Sequence, residues 1–129
     1  MKLNPDCIRD ILIALESLSE DGHTNCIFPD FATLREHLDL MEYSENEIEY
    51  HLHQCDLNDF LIGAKFGADG CFSIKDISPK AHEFLANIRS DTVYTSVKNR
   101  LKQVGIYSLK SIVDVASTVA SEFISGRLL

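Results

Sequence analysis

The chain has 129 residues, 45% of them hydrophobic, and a formal charge of −8. That length suits one domain with a real core; no apolar run reaches the ~18 residues that a membrane span needs, and the opening MKLNPDCIRD has no apolar signal core, so a cytoplasmic protein is expected. The four cysteines, Cys7, Cys26, Cys55 and Cys71, show no C-x-x-C spacing and read as reduced, mostly buried thiols.

Asn4 and Pro5 mark the start of a first helix, because Asn4 can cap it and Pro5 sits where its missing N–H costs nothing. Ile8, Ile11, Leu12, Leu15 and Leu18 then recur at helical spacing. The polar DGHTN breaks that helix, CIF is a short strand candidate, and Asp30 caps a second helix, FATLREHL, with Phe31, Leu34 and Leu38 inward. Ser44 and Glu47 form an S-x-x-E capping box, with Tyr43 and Ile48 as the hydrophobic staple around it. Ile48, Leu52 and Cys55 point this third helix into the core. FLIGAKFGADGCFSIKDI then switches to strand chemistry, two apolar segments around the glycine-rich FGADG, which predicts a β-hairpin. Ser78 and Pro79 open a fourth helix with Ala81, Leu85 and Ile88 inward. A fifth is expected from Asp91 as cap to Gly105 as stop, and a sixth ends at Gly126.

Helix, strand, helix, helix, hairpin, helix predicts a mostly helical α+β fold: a winged helix-turn-helix over 1–90 and a helical extension over 91–129 in the same compact unit. The trio and its wing are complete without the last helix. Its apolar stripe, Ile112, Val115, Val119 and Phe123, must therefore fold back on the first helix or pair with a second chain, and a homodimer is the favoured expectation.

MKLNPDCIRDIL, YSENEIEYHL, ISPKAHEFLANIRSDTVY and SLKSIVDVAS together resemble the characteristic stretches of the phage- and prophage-associated family called domain of unknown function 2513. The family phrase usually has glycine where this chain has Ala81, and often tryptophan where it has Tyr94. The resemblance implies a small winged-helix protein of bacterial mobile elements. It implies no mechanism and carries over no functional residue.

The residues themselves offer little chemistry. G-x-S-x-G, H-E-x-x-H, P-loop and G-x-G-x-x-G patterns are absent from the sequence. His51 and His53 are two apart and point to opposite sides of a helix. His51 and Cys55 share a side but fall short of the three or four ligands that zinc usually takes, and Cys55 lies on the apolar stripe. His82 reads as a packed or capping histidine. No cofactor, metal, small molecule or membrane is expected, and the chain reads as non-enzymatic.

Charge says more. Residues 1–60 hold three basic residues against fourteen acidic ones, whereas 61–129 hold nine against six. On the third helix, Asn46, Tyr50, His53 and Leu57 lie opposite the core stripe, flanked by Glu49 and Asp56 on one side and by Glu47 and Gln54 on the other. A DNA-reading helix offers basic and amide side chains to bases and phosphates; these acids would repel phosphates and release no counterions. Asn46, Glu49, Tyr50, His53, Asp56 and Leu57 are therefore a candidate protein interface, with Tyr50 and Leu57 as anchors. In the alternative, Leu57 lies past the helix end against Phe60 and Leu61, leaving only Tyr50 exposed. Lys75, Lys98, Arg100 and Lys102 are the candidate nucleic-acid contacts, and a solvated helix face is the plainer reading of them. Two functions follow: an interaction module whose acidic half binds a protein, one version being an inhibitor that imitates DNA charge, or a transcriptional regulator that contacts DNA through the wing and basic C-terminal segment.

Overall fold

A computed structural model describes residues 1–20, 25–105 and 107–126. The fold is α+β and mostly helical, in the order α1 (Pro5–Glu20), β1 (Cys26–Phe28), α2 (Phe31–His37), α3 (Glu45–Leu57), β2 (Leu61–Ile62), β3 (Lys65–Phe66), β4 (Phe72–Ile74), β5 (Asp76–Ile77), α4 (Pro79–Ile88), α5 (Asp91–Val104) and α6 (Leu109–Ile124). One apolar cluster runs from Leu3 to Val119 and takes in buried side chains from every helix.

Local chemistry sets the helix starts. Asn4 Oδ1 accepts the Asp6 N–H at 3.0 Å and caps α1. Asp30 caps α2 by accepting from Thr33, and Ser78 caps α4 by accepting from Ala81. The capping box of α3 is closed in both directions: Ser44 Oγ accepts the Glu47 N–H, and Glu47 Oε1 accepts the Ser44 N–H, each at 3.1 Å. Its staple residues Tyr43 and Ile48 are buried. The cap of the fifth helix lies one residue earlier than expected. Ser90, not Asp91, accepts from Val93, and Asp91 stands in the first turn, where a carboxylate favours the helix dipole.

The expected hairpin forms, but each arm is interrupted. β3 and β4 pair antiparallel across the Gly67–Gly70 turn, β1 joins the other edge of β4 to give the order β1-β4-β3, and β2 pairs with β5. The interruption falls at Gly63, whose φ of +65° is left-handed; a Cβ there would come within 2.8 Å of Lys75 Cγ, so the lysine stem lies across the glycine.

Two helix ends use aspartate where glycine is the common choice. After α2, the Asp39 N–H donates to Glu36 O and the Leu40 N–H to Arg35 O; after α3, the Asp59 N–H donates to Asp56 O and the Phe60 N–H to Cys55 O. Both pairs have the Schellman pattern, and both aspartates are left-handed, φ 55° and 60°. An L-residue pays for that conformation, and each carboxylate also faces the negative end of a helix dipole. Asp39→Gly is expected to raise stability by roughly 0.5–1 kcal/mol, the strain relieved exceeding the entropy glycine adds to the unfolded chain; chemical denaturation of the variant beside the parent measures it.

The last helix packs chiefly on α4 and α5. Ile112 and Val119 are fully buried within the chain, with Val115 and Phe123 packed against the same core. Gly105 ends α5 in a left-handed turn, and the short connection to the Ser108 cap sends α6 back along its predecessor. Of the stripe read as a candidate dimer helix, Ile112 and Val119 thus pack into the chain's own core, while Val115 and Phe123 stay half-buried.

Candidate protein-interaction face on the third helix

Helix α3 buries Ile48, His51, Leu52 and Cys55, and turns its opposite side outward. On that side Asn46 and His53 are exposed, and Glu49, Tyr50 and Asp56 are half-buried. Leu57 is the last helical residue and 75% exposed. The alternative in which it packs away on Phe60 and Leu61 is therefore wrong: the Schellman turn after α3 sends Phe60 and Leu61 inward and leaves Leu57 outside. Ile62, on β2, is a further exposed aliphatic residue at 43%.

His53 is held in a way that sequence spacing did not disclose. Its ring stacks on Phe66 of β3, centroids 3.8 Å apart and planes 19° apart. Phe66 in turn lies 5.0 Å from buried Phe72, which lies 6.2 Å from Phe31 of α2. An aromatic column thus runs from the exposed face of α3 through the hairpin into the core, and fixes helix and hairpin relative to each other.

Among the described residues no cation bridges Glu45, Glu49 or Asp56. The candidate phosphate contacts, by contrast, are partly used up. Lys98 Nζ is 3.3 Å from Asp6 Oδ1 and also lies over the Tyr94 ring, and both terminal nitrogens of Arg100 reach Glu122 at 3.1 Å. Lys75 and Lys102 are exposed.

His51, one of the three side chains weighed as metal ligands, is a structural staple. It is fully buried, its Nε2 accepts the Asn4 N–H at 2.8 Å, and its Nδ1–H donates to the Glu47 carbonyl at 2.6 Å. An acceptor at Nε2 requires the proton at Nδ1, so both nitrogens are occupied by the neutral ring. Burial also pushes its pKa below the ordinary histidine value. Cys55 is fully buried and its thiol pushed well up; burial and nearby acids push Cys7 up to about 12. Neither is a thiolate near neutrality. His82 is exposed, with Nδ1 3.4 Å from Glu16 Oε2.

A second polar constellation escaped sequence reading. Between α1 and α5 a groove of about 370 Å³ is lined by Asp6, Arg9, Asp10, Glu42, Tyr43, Tyr94 and Lys98, among others. The Tyr94 hydroxyl donates to Asp6 and the Tyr43 hydroxyl to Asp10 Oδ2 at 2.6 Å. Arg9 donates to the carbonyls of Ile88 and Arg89 and to Asp91, and its guanidinium lies 4.4 Å from the centre of the Tyr94 ring. Arg89 grips both oxygens of Glu16. These bonds tie α1 to the end of α4 and the start of α5, which is a docking role.

Residues 2–107 match the family model described as Hypothetical protein (DUF2513). The chain belongs to this family. The matched segment spans α1 to α5 and excludes α6, so the likeness noted for SLKSIVDVAS lies outside it. A Haemophilus influenzae protein named "Uncharacterized protein" is 33% identical over 133 residues, covering 97% of this chain and the whole of that relative. No solved structure matches the chain. Among the described residues of this family member, no helix is long and apolar enough to cross a membrane.

Proposed function

We propose that the chain is a non-enzymatic winged-helix module in which α3 and the neighbouring hairpin address a protein instead of DNA. Support for the winged-helix reading comes from the order of elements: three helices with a short strand between the first two, then a hairpin whose inner strand pairs with that first strand. In this arrangement α3 holds the place of a reading helix. The observation that carries the function is its outward face: acids unbridged by described cations beside a leucine 75% exposed, on the surface where a DNA reader carries bases and amides. Isolated charge of this sign repels phosphate, while an exposed aliphatic anchor within a polar rim suits a protein surface. The mobile-element setting implied by the family resemblance, and the cytoplasmic location expected from the sequence, fit a module that acts on a host or phage protein. An inhibitor that imitates the charge of DNA is one form of it.

The DNA-binding alternative loses two of its four contacts to internal acids, Lys98 to Asp6 and Arg100 to Glu122. A duplex-DNA mobility-shift assay at two salt concentrations separates the readings. The interaction module retains no duplex at near-physiological salt. Retention there, falling steeply as salt rises, would establish phosphate contacts and overturn the proposal.

A further inference from the structure

We infer that the exposed face of α3 is a two-heptad seam that receives a cationic amphipathic helix of another protein. This rests on the protein-binding reading above and specifies the mode and chemistry of the partner. Asn46, Tyr50, His53 and Leu57 are spaced four, three and four residues apart, the alternation of d and a positions in a heptad repeat. The seam spans roughly 16 Å of helix at 1.5 Å per residue, enough for one facing helix to lay down about two turns and more of contact. In the same register Glu49 and Asp56 hold the g positions, and Glu47 and Gln54 the e positions. Glu47 is committed to its capping box. Charge selection therefore falls to the g side, where Glu45 adds a third carboxylate.

Three structural facts favour a helix as occupant. The seam is one straight stripe on a single regular helix. Its distal a position, Leu57, stands out into solvent, as an unfilled knob does. Its middle d position, His53, is locked against Phe66, so the seam is organised before any partner arrives and less ordering remains to be done on binding. The flanking charge then fixes the partner's sign. A helix with lysine or arginine at the positions facing Glu49 and Asp56 gains, whereas a second copy of α3 laid antiparallel would set carboxylate against carboxylate, and a parallel copy would offer Glu49 only the uncharged Gln54. A homotypic pair through this face is disfavoured for that reason.

The test uses the full chain labelled with ¹⁵N and a synthetic peptide of about three heptads, leucine at a and d and lysine at e and g. Like charges at e and g keep this peptide from pairing with itself. The expected result is binding that shifts the backbone resonances of residues 46–57 and of Phe66, with little or no response to a peptide of the same composition in scrambled order or to one with glutamate at e and g. Leu57→Ala, at an exposed position that leaves the fold intact, is expected to weaken binding about tenfold. The double variant Glu49→Lys, Asp56→Lys is expected to weaken the lysine peptide about tenfold and to bring up binding of the glutamate peptide. Equal binding of the scrambled lysine peptide would reduce the face to diffuse charge and overturn the seam. So would shifts that map away from α3, or no binding of any peptide. If duplex DNA instead occupies α3 in the mobility-shift assay, the protein-binding reading itself falls; loss of peptide binding without DNA binding removes only the helical mode.

Discussion

Replacing Phe72 by alanine is expected to destabilise the fold by about 3–5 kcal/mol, the range for truncating a fully buried aromatic residue. Phe72 lies on β4, the central strand of the three-stranded sheet, opposite Phe28 on one side and Phe66 on the other. Its ring faces those of Phe31 and Phe66, so its removal opens a cavity between α2 and the hairpin that neither can close without giving up strand pairing. Against a total stability of about 5–15 kcal/mol for a domain of this kind, the loss is large. A second effect separates this cavity from others in the core. Phe66 loses the ring behind it, so its stack with His53 loosens and the exposed face of α3 loses its brace. Denaturant unfolding reads the first effect; the ring-proton shifts of His53, upfield in the stacked state and moving towards free histidine in the variant, read the second. A variant as destabilised as expected, but with unmoved His53 resonances, would show that the column does not transmit from core to surface.

Replacing His51 by leucine is expected to cost about 2–3 kcal/mol near neutral pH, because the Asn4 N–H then loses its acceptor in a partly buried site. The pH dependence carries its own sign. Burial lowers the folded-state pKa of His51 below the ordinary value of 6.5, so the unfolded chain takes up a proton more readily than the fold. The contribution of His51 is therefore complete above pH 6.5 and is lost as pH falls from there towards the lower folded-state value. Protonation puts a hydrogen on Nε2, where the Asn4 N–H already points, which turns a hydrogen bond into a clash of donors. Denaturation of parent and variant at about pH 7.5 and about pH 5.5, roughly one unit either side of the ordinary histidine value, should show the gap between them narrowing at the lower pH. A gap that stays constant would mean that His51 is not the neutral acceptor described above.

Much of this was legible in the chain because the signals are short-range. The capping box at Ser44 and Glu47 reads correctly from four residues, since both of its hydrogen bonds close within one turn. The inward stripes of α1, α3 and α4 follow from helical period alone, and every buried residue of those helices except Cys7, His51 and Phe84 was anticipated from it. The two aspartate helix ends were missed because the signal sought there is glycine, and aspartate is a less frequent occupant of the left-handed region. His51 was weighed as a metal ligand because its partner Asn4 lies 47 residues away and offers a backbone N–H, a group that no side-chain pattern marks.

The sequence by itself determined where the helices start, which side of α3 faces out, and that this side is acidic, because capping, periodicity and charge are properties of neighbouring residues. Only the tertiary structure decided the fate of the α6 stripe, the pairing of His53 with Phe66, and the neutralisation of Lys98 and Arg100. Those outcomes depend on groups brought together from distant positions, Tyr94 and Asp6 across 88 residues among them, and a side chain's charge reaches a partner only after the chain has packed to place it there.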